Sequence, residues 1–260
     1  MPQRSDNFPV ADAGTLHPEL HIMDIEVLNY HINHDKWAWF RLFDITFAHR
    51  WVDDFCQSLD DSVRWDVAVV EDGSGDATYA CTDAVNGVLL LQNDDADNDS
   101  IQVASLCECW KLVAGYPLYA EIRFKVSDAL QLDMFFGLVT GQAWFVAPND
   151  YVVFHKDDGD ANIDFSNAEN GVATTVDTGQ DIVTDTWVIL GFHWDGDATL
   201  RWFVFRDAEP SRYCLATGTS ITTIVQDEEL TLAFGVQNGE AVAKSMSVDY
   251  IKCVQKRVRE

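Results

Sequence analysis

Carboxylates are the reactive groups this sequence supplies in quantity, and their spacing limits what they can do. Asp95, Asp97 and Asp99 alternate as the opening of a calcium loop does. The segment lacks the glycine of the sharp turn and the closing bidentate glutamate, so it is no EF-hand. Asp157, Asp158 and Asp160, or Asp195 and Asp197, would serve a cation equally well. A solvated acidic loop accounts for each cluster more simply, so no cofactor is expected beyond a weak dependence on calcium. Hydrolysis of a glycosidic bond needs two carboxylates set apart across a cleft, which a single strand could supply from one face at i and i+2 or i+4. The nearest match is Glu121-Ile122-Arg123-Phe124-Lys125, where no second carboxylate follows at i+2 or i+4. A G-x-S-x-G elbow, a P-loop and an H-E-x-x-H helix are absent, so no catalytic residue is assigned. His31-x-x-His34 has ligand spacing only on a helix and lacks a third partner. Aromatic rings offer another chemistry, stacking on sugars, for which Trp110, Trp144 and Trp194 are candidates. Most of nine tryptophans in a domain this size belong to the core.

Strands must carry these groups. Thr186 to Asp207 is the clearest case: two runs of alternating aromatic and aliphatic residues flank Asp195-Gly196-Asp197. Val188, Leu190, Phe192 and Trp194 share one face, as do Leu200, Trp202 and Val204 after the turn. Period two broken by Asp-Gly predicts a hairpin, and apolar groups on both faces place it centrally in a two-layer β protein. Further strands are predicted at 65–70, 87–93, 100–112, 117–127, 132–141, 151–156, 162–168, 171–179, 229–239 and 245–257. Along 117–127, Leu118, Ala120, Ile122, Phe124 and Val126 oppose Tyr119, Glu121, Arg123 and Lys125, a strand wet on one side. In the last strand, Met246, Val248, Tyr250, Lys252 and Val254 are expected to share one face. Turns rich in Gly and Asp recur roughly every 10–15 residues, the rhythm of an antiparallel sandwich. No long amphipathic helix and no internal repeat is present.

Composition narrows the partners. The chain has 43 acidic and 17 basic residues, a net charge of −26. Such a body repels nucleic acid and anionic membranes. Between Asp53 and Asp99 there are thirteen Asp or Glu and one basic residue, Arg64. The six cysteines are irregularly spaced and are expected as free thiols in a reducing compartment. No apolar run approaches the ~20 residues of a membrane span, and no secretory leader is visible in the first residues.

Residues 1–45 read as a separate unit, an N-terminal arm joined to a sandwich over 46–260. Proline and glycine punctuate its first twenty positions, and an aromatic-rich stretch follows. Trp37, Trp39, Phe40 and Phe43 exceed what one strand face needs, so they are the partner-binding candidates.

Several pieces follow one another in a fixed order. They are Trp51-Val52-Asp53-Asp54-Phe55, Leu59-Asp60, Trp65, Gly87-Val88-Leu89-Leu90-Leu91 and Asn98-Asp99-Ser100. Then come the Tyr119-Ala120-Glu121-Ile122-Arg123 strand, Phe136-Gly137-Leu138, Trp187-Val188-Ile189-Leu190-Gly191-Phe192 and Asp249-Tyr250-Ile251-Lys252-Cys253-Val254-Gln255. The ordered set, about 50–256, resembles a group of tailed-phage virion proteins with a concanavalin A-like (laminin-G-like) jelly roll. The resemblance implies an all-β antiparallel jelly-roll sandwich with an N-terminal extended arm. It implies a non-enzymatic structural role on the virion, most simply a capsid decoration or cement protein at the capsid surface, assembled in the host cytoplasm. Its partners would be the major capsid protein or other virion proteins, and sister copies in a homo-oligomer such as a trimer. The alternative is a carbohydrate- or receptor-binding module on the same surface, and a glycosidase-like enzyme is the third reading. Laminin-G-like folds often hold calcium between loops, which keeps Asp95, Asp97 and Asp99 as weak metal candidates. Where the tryptophans lie decides between scaffold and glycan binding: buried rings favour the first, a solvent-facing platform the second.

Overall fold

A computed structural model describes residues 48–257, apart from 58, 60–62, 74, 85–86, 142–143, 146–147, 209–210, 221–224 and 226, with the backbone alone for 206–208, 211–215 and 220. The arm and its candidates Trp37, Trp39, Phe40 and Phe43 lie outside the described residues. The strands are β1 (Ala48–Asp53), β2 (Trp65–Val70), β3 (Thr78–Thr82), β4 (Val88–Gln92), β5 (Ser100–Ser105), β6 (Leu118–Val126), β7 (Leu132–Val139) and β8 (Tyr151–Lys156). They continue with β9 (Asn162–Glu169), β10 (Val172–Asp181), β11 (Val188–Trp194), β12 (Leu200–Ala208), β13 (Ser211–Ser220), β14 (Thr231–Asn238) and β15 (Ser245–Lys256).

Two antiparallel sheets result. The eight-stranded sheet runs β13-β12-β11-β6-β15-β4-β3, with β1 on the C-terminal half of β15. The seven-stranded sheet runs β10-β9-β8-β7-β14-β5-β2. Period-two alternation sends one face of every central strand into a shared core, as in any face-to-face sandwich. Phe192 of β11 meets Phe136 of β7 at 6.1 Å and Phe165 of β9 at 6.0 Å, joining the layers through rings at tilted angles.

The hairpin forms as its sequence dictates. Val188, Leu190, Phe192, Trp194, Leu200, Trp202 and Val204 all enter the core. Ile189, Phe203 and Phe205 form a small apolar cluster on the opposite face. Trp194 pairs with Leu200, leaving 195–199 as the turn. Asp195 Oδ1 accepts the amides of Asp197 (2.8 Å), Ala198 (3.1 Å) and Thr199 (3.0 Å). Burial pushes that carboxyl up, but the amides outweigh it and hold it below the usual range. Gly196 sits at φ +80, and a Cβ there would meet the Pro117 nitrogen at 2.8 Å.

Three expectations change. First, a register shift between Val248 and Tyr250 breaks the alternation of β15. Met246, Val248, Ile251 and Cys253 face the core, while Tyr250 and Lys252 turn outward. A bulge adds one residue and flips every side chain beyond it. Second, β1, β3 and β13 are strands the sequence does not announce; β1 pairs only with β15. β3 and β13 are terminal in the eight-stranded sheet and pair on one side only. Third, Cys107 and Cys109 are joined as a disulfide, contrary to the expectation of free thiols; Cys56, Cys81 and Cys253 are free. β5 ends at Ser105, so the two cysteines stand in a loop that curls back on itself rather than on an extended strand.

Two buried asparagines tie the sheets together at one end. Asn93, just past β4, donates to Asp99 O (2.8 Å), Val236 O (3.3 Å) and Asn238 Oδ1 (3.1 Å). Asn238, closing β14, donates to Asp94 O (2.6 Å) and Ala96 O (2.8 Å) and accepts the Lys244 amide (3.2 Å). Asn238→Ala strands two part-buried carbonyls and a buried amide at once. It should cost about 3 kcal/mol of stability, read as a lowered denaturant midpoint at unchanged slope. A loss under about 0.5 kcal/mol, the size of an ordinary surface substitution, would show that water replaces the side chain.

Candidate functional site

The outer face of the seven-stranded sheet collects aromatic and polar side chains in rows. Straight across the strands run Gln102, Gly235, Phe135, His155, Asp164 and Asp177. The next row is Ala104, Ala233, Gly137, Val153, Ser166 and Thr175. Their neighbours along each strand, such as Ile101, Phe136, Phe154 and Phe165, point into the core, which fixes these rows outward. Gly235 makes room for the Phe135 ring: a Cβ there would lie 2.7 Å from Phe135 Cε1.

A loop lays Trp144 onto this face. Gln102 Oε1 accepts the amides of Trp144 (2.8 Å) and Phe145 (3.4 Å), and Glu108 Oε1 accepts that of Gly141 (3.0 Å). The Trp144 ring stacks near Phe135 (6.0 Å), meets Tyr151 edge-on (4.9 Å, 89°) and lies 5.4 Å from the His155 ring. Trp144, Tyr151 and His155 are half-buried, and burial pushes the Tyr151 phenol up.

Beside the ring runs a hydrogen-bonded chain across three strands. His155 Nδ1 meets Asp157 Oδ1 at 3.3 Å, His155 Nε2 meets Ser166 Oγ at 2.9 Å, and Ser166 Oγ meets Thr175 Oγ1 at 2.7 Å. The bond from His155 holds the Asp157 carboxyl below its usual range. Asp164 is pushed up by burial and by the charges of Asp177 and Asp157, with His155 opposing. Asp133 is raised to about 6, by burial first and then by Asp158 and Asp157; the Asp158 amide it accepts moderates the rise.

One lysine stabilises this acidic edge from within. Lys156 is 1% exposed. Its ammonium donates to the carbonyls of Leu130 (3.2 Å), Asp157 (2.9 Å) and Leu132. Burial lowers its pKa while Asp133, Asp158, Asp128 and Asp157 oppose that. A fixed cation thus stands in the cluster that the sequence offers to calcium through Asp157, Asp158 and Asp160.

The other sequence candidates resolve differently. Asp99 is buried and spends Oδ1 on the Asp72 amide (2.7 Å) and Oδ2 on the Ala96 amide (3.2 Å). Asp95 and Asp97 are exposed. Asp99 therefore ties loops rather than joining the other two, and no group of three His, Cys, Asp or Glu among the described residues is arranged for a metal ion. Trp110 and Trp194 are fully buried, so Trp144 alone of the three faces outward. Glu121 lies on the outer face of the eight-stranded sheet, as its alternation requires, but it is 0% exposed. It accepts from Tyr250 (2.6 Å) and Tyr119 and pairs with Lys252 (3.0 Å). At i+2, Arg123 pairs with Asp249 at 2.6 Å and lies 4.3 Å over the Trp187 ring, which Lys125 also approaches at 5.5 Å. Cations stand where a glycosidase strand would continue with carboxylates. Sequence reasoning passed over His155, Ser166, Asp164 and Thr175 as site residues, although alternation in YVVFHK and NIDFSNA already placed the polar members on one face.

The fold is that of the concanavalin A-like jelly rolls. A protein of unknown function, SO2946 from Shewanella oneidensis MR-1, superposes with a TM-score of 0.58 at 16% identity, over 87% of this chain and 98% of its own. Peanut lectin gives 0.56 at 11% identity, over 82% of this chain and 99% of its own. The endo-1,3-beta-glucanase of Streptomyces sioyaensis gives 0.53 at 12% identity, over 81% and 97%. No protein-family model and no curated protein matches the sequence.

Two stability measurements follow from the acidic edge. Lys156→Met leaves three carbonyls without their donor and should cost about 3 kcal/mol; a change within about 0.5 kcal/mol would mean the cage is replaced by solvent. Asp133 contributes with the opposite sign. Its folded carboxyl sits at about 6 against an ordinary 3.8, so its contribution falls as pH rises through that window. Asp133→Asn should therefore stabilise by about 1 kcal/mol at neutral pH, a figure discounted for screening at a half-exposed group. The gain should vanish near pH 4, where the folded wild-type carboxyl is protonated. Melts of both proteins across that range check it, and a gain independent of pH would contradict the assignment.

Proposed function

We propose that the protein is a carbohydrate-binding module and that the outer face of the seven-stranded sheet holds the glycan. One observation carries this: Trp144 is a half-exposed ring, backed by Phe135, with the half-exposed His155 and the exposed Thr175 near it, both held in place by the buried Ser166 hydroxyl. A sugar presents a C–H face to such a ring and hydroxyls to such a chain. The fold's lectin and glucanase neighbours support the reading. The capsid-decoration reading keeps only the ordered sequence pieces behind it, since the structural neighbours named above include no virion protein.

The site favours binding over turnover. Asp157, His155 and Ser166 stand in the order of an acyl-transfer relay, but Ser166 is 1% exposed and is shared with Thr175. Its strand is paired on both sides, so the ladder takes up backbone amides that an oxyanion would need. Glycoside hydrolysis is the second reading, favoured by one feature. Asp133 is held up near 6 and Asp157 is held down, the split of an acid and a base. Against it, Asp133 is tied to the Asp158 amide and Asp157 to His155.

Calorimetry against a panel of neutral β-linked oligosaccharides tests the proposal. Trp144→Ala should weaken binding at least about tenfold, the loss of one stacking contact; because the ring also packs on Phe135 and Tyr151, the melting temperature should fall by several degrees with the protein still folded at the assay temperature. Binding that survives the substitution moves the site elsewhere. Release of reducing ends that Asp133→Asn abolishes would turn the reading to hydrolysis.

A further inference from the structure

The surroundings of the Trp144 platform set the charge of its ligand, an inference that rests on the carbohydrate reading above. Between Leu132 and Asp181, the segment of β7 to β10, the chain carries nine Asp or Glu and a single Lys. That lysine, Lys156, is turned inward onto carbonyls. The carboxylates are grouped around His155. Asp157 is bonded to its Nδ1, Asp164 is its partner across the strand, and Asp177 stands opposite Asp164. Neighbouring strands lie about 5 Å apart, so His155, Asp164 and Asp177 span about 10 Å. The His155 ring is 5.4 Å from Trp144. An oligosaccharide that stacks on Trp144 and runs on past His155 along this row therefore comes within a screening length, about 8 Å, of Asp164 and then of Asp177.

What sets the two outer faces apart is where the cations stand. Arg123, Lys125 and Lys252 stand on the outer face of the opposite sheet, where Glu121 and Asp249 pair with two of them. Asp164 has one side-chain donor from Asn162 at 3.0 Å. Burial raises Asp164 and Asp133 first, and neighbouring carboxylates add to it: Asp177 and Asp157 for Asp164, Asp158 and Asp157 for Asp133. Uronate or sulfate groups laid along this face would meet like charges, whereas an ammonium on the sugar ring would meet acceptors.

We propose that the ligand is an amino-sugar polymer with free amines, bound by stacking on Trp144 and by ion pairs to Asp164 and Asp177, with neutral glycans held more weakly and acidic glycans excluded. The aromatic platform selects a saccharide, and the carboxylates select its charge.

The test compares three hexasaccharides by calorimetry at low salt and about pH 6, where a sugar amine is a cation. They are β-1,4-linked glucosamine, its N-acetylated counterpart and a polyuronate. The glucosamine hexamer should bind at least about tenfold tighter than the N-acetylated one, an advantage that salt erodes. The polyuronate should not bind. The double substitution Asp164→Asn and Asp177→Asn should remove the advantage and leave binding of the N-acetylated hexamer intact, which also reports that the variant is folded. Trp144→Ala should weaken both. Equal binding of the two hexamers overturns this inference and leaves the carbohydrate reading standing. An advantage that survives the double substitution also overturns it, because the attraction then belongs to the whole −26 surface. If none of the three and none of the neutral panel binds, both readings fall.

Discussion

The period of two in a strand is the constraint on which everything else here depends. Each central strand commits one face to the layer shared by the two sheets, and what remains is available for chemistry. Phe136, Phe154 and Phe165 enter the layer between the sheets; Phe135, His155, Asp164 and Ser166, each one residue away, point to the opposite face, where Phe135 and Ser166 are buried and His155 and Asp164 are half-buried. The site is therefore the complement of the core. Register then decides which leftover side chains meet, and here it draws a row from Gln102 to Asp177 across six strands. A slip of one residue in β9 would send Ser166 inward and Phe165 out.

One bulge shows how strictly the rule binds. β15 must supply a core face to both halves of the eight-stranded sheet. The shift between Val248 and Tyr250 re-aims its C-terminal half. The same event that brings Ile251 and Cys253 inward turns Tyr250 and Lys252 toward Glu121. A carboxylate with no exposure is costly unless its charge is met. Two phenols and an ammonium meet it here, which makes Glu121 a structural anion and leaves it poorly suited to general acid chemistry.

Most of the sandwich was legible because alternation is a local signal. The hairpin at 186–206 and the strand at 117–127 were readable from their own residues, and the core faces followed. The edges β3 and β13 were not; β3, paired on one side and wet along its length, carries little apolar rhythm. The bulge in β15 was hidden for another reason: alternation can be extended through any run of residues, and nothing in Ser247-Val248-Asp249-Tyr250 marks where it fails. For the site, sequence separated the rings poorly. Trp110, Trp144 and Trp194 look alike on paper, and only the third dimension puts two of them at 0% exposure. His155, Ser166 and Thr175 are eleven and nine residues apart, so their chain exists only through strand pairing.

The acidic character of the chain and its stability are reconciled by where the cations are placed. A body with 43 acidic residues repels itself, and bound divalent ions are the usual relief. Here part of the relief comes from the chain's own lysines. Lys156 reaches into the carbonyls between β7 and β8, and Lys244 joins Asp128 at 2.8 Å and Glu240 at 2.6 Å. Lys244 holds Asp128 near 2 against a burial cost of opposite sign. Because these ammoniums are buried or nearly so, they neutralise the frame without reaching the outer face. The frame can then be stable while its surface keeps the negative field. That separation lets one sheet face remain both acidic and folded, and the proposed ligand selection requires both.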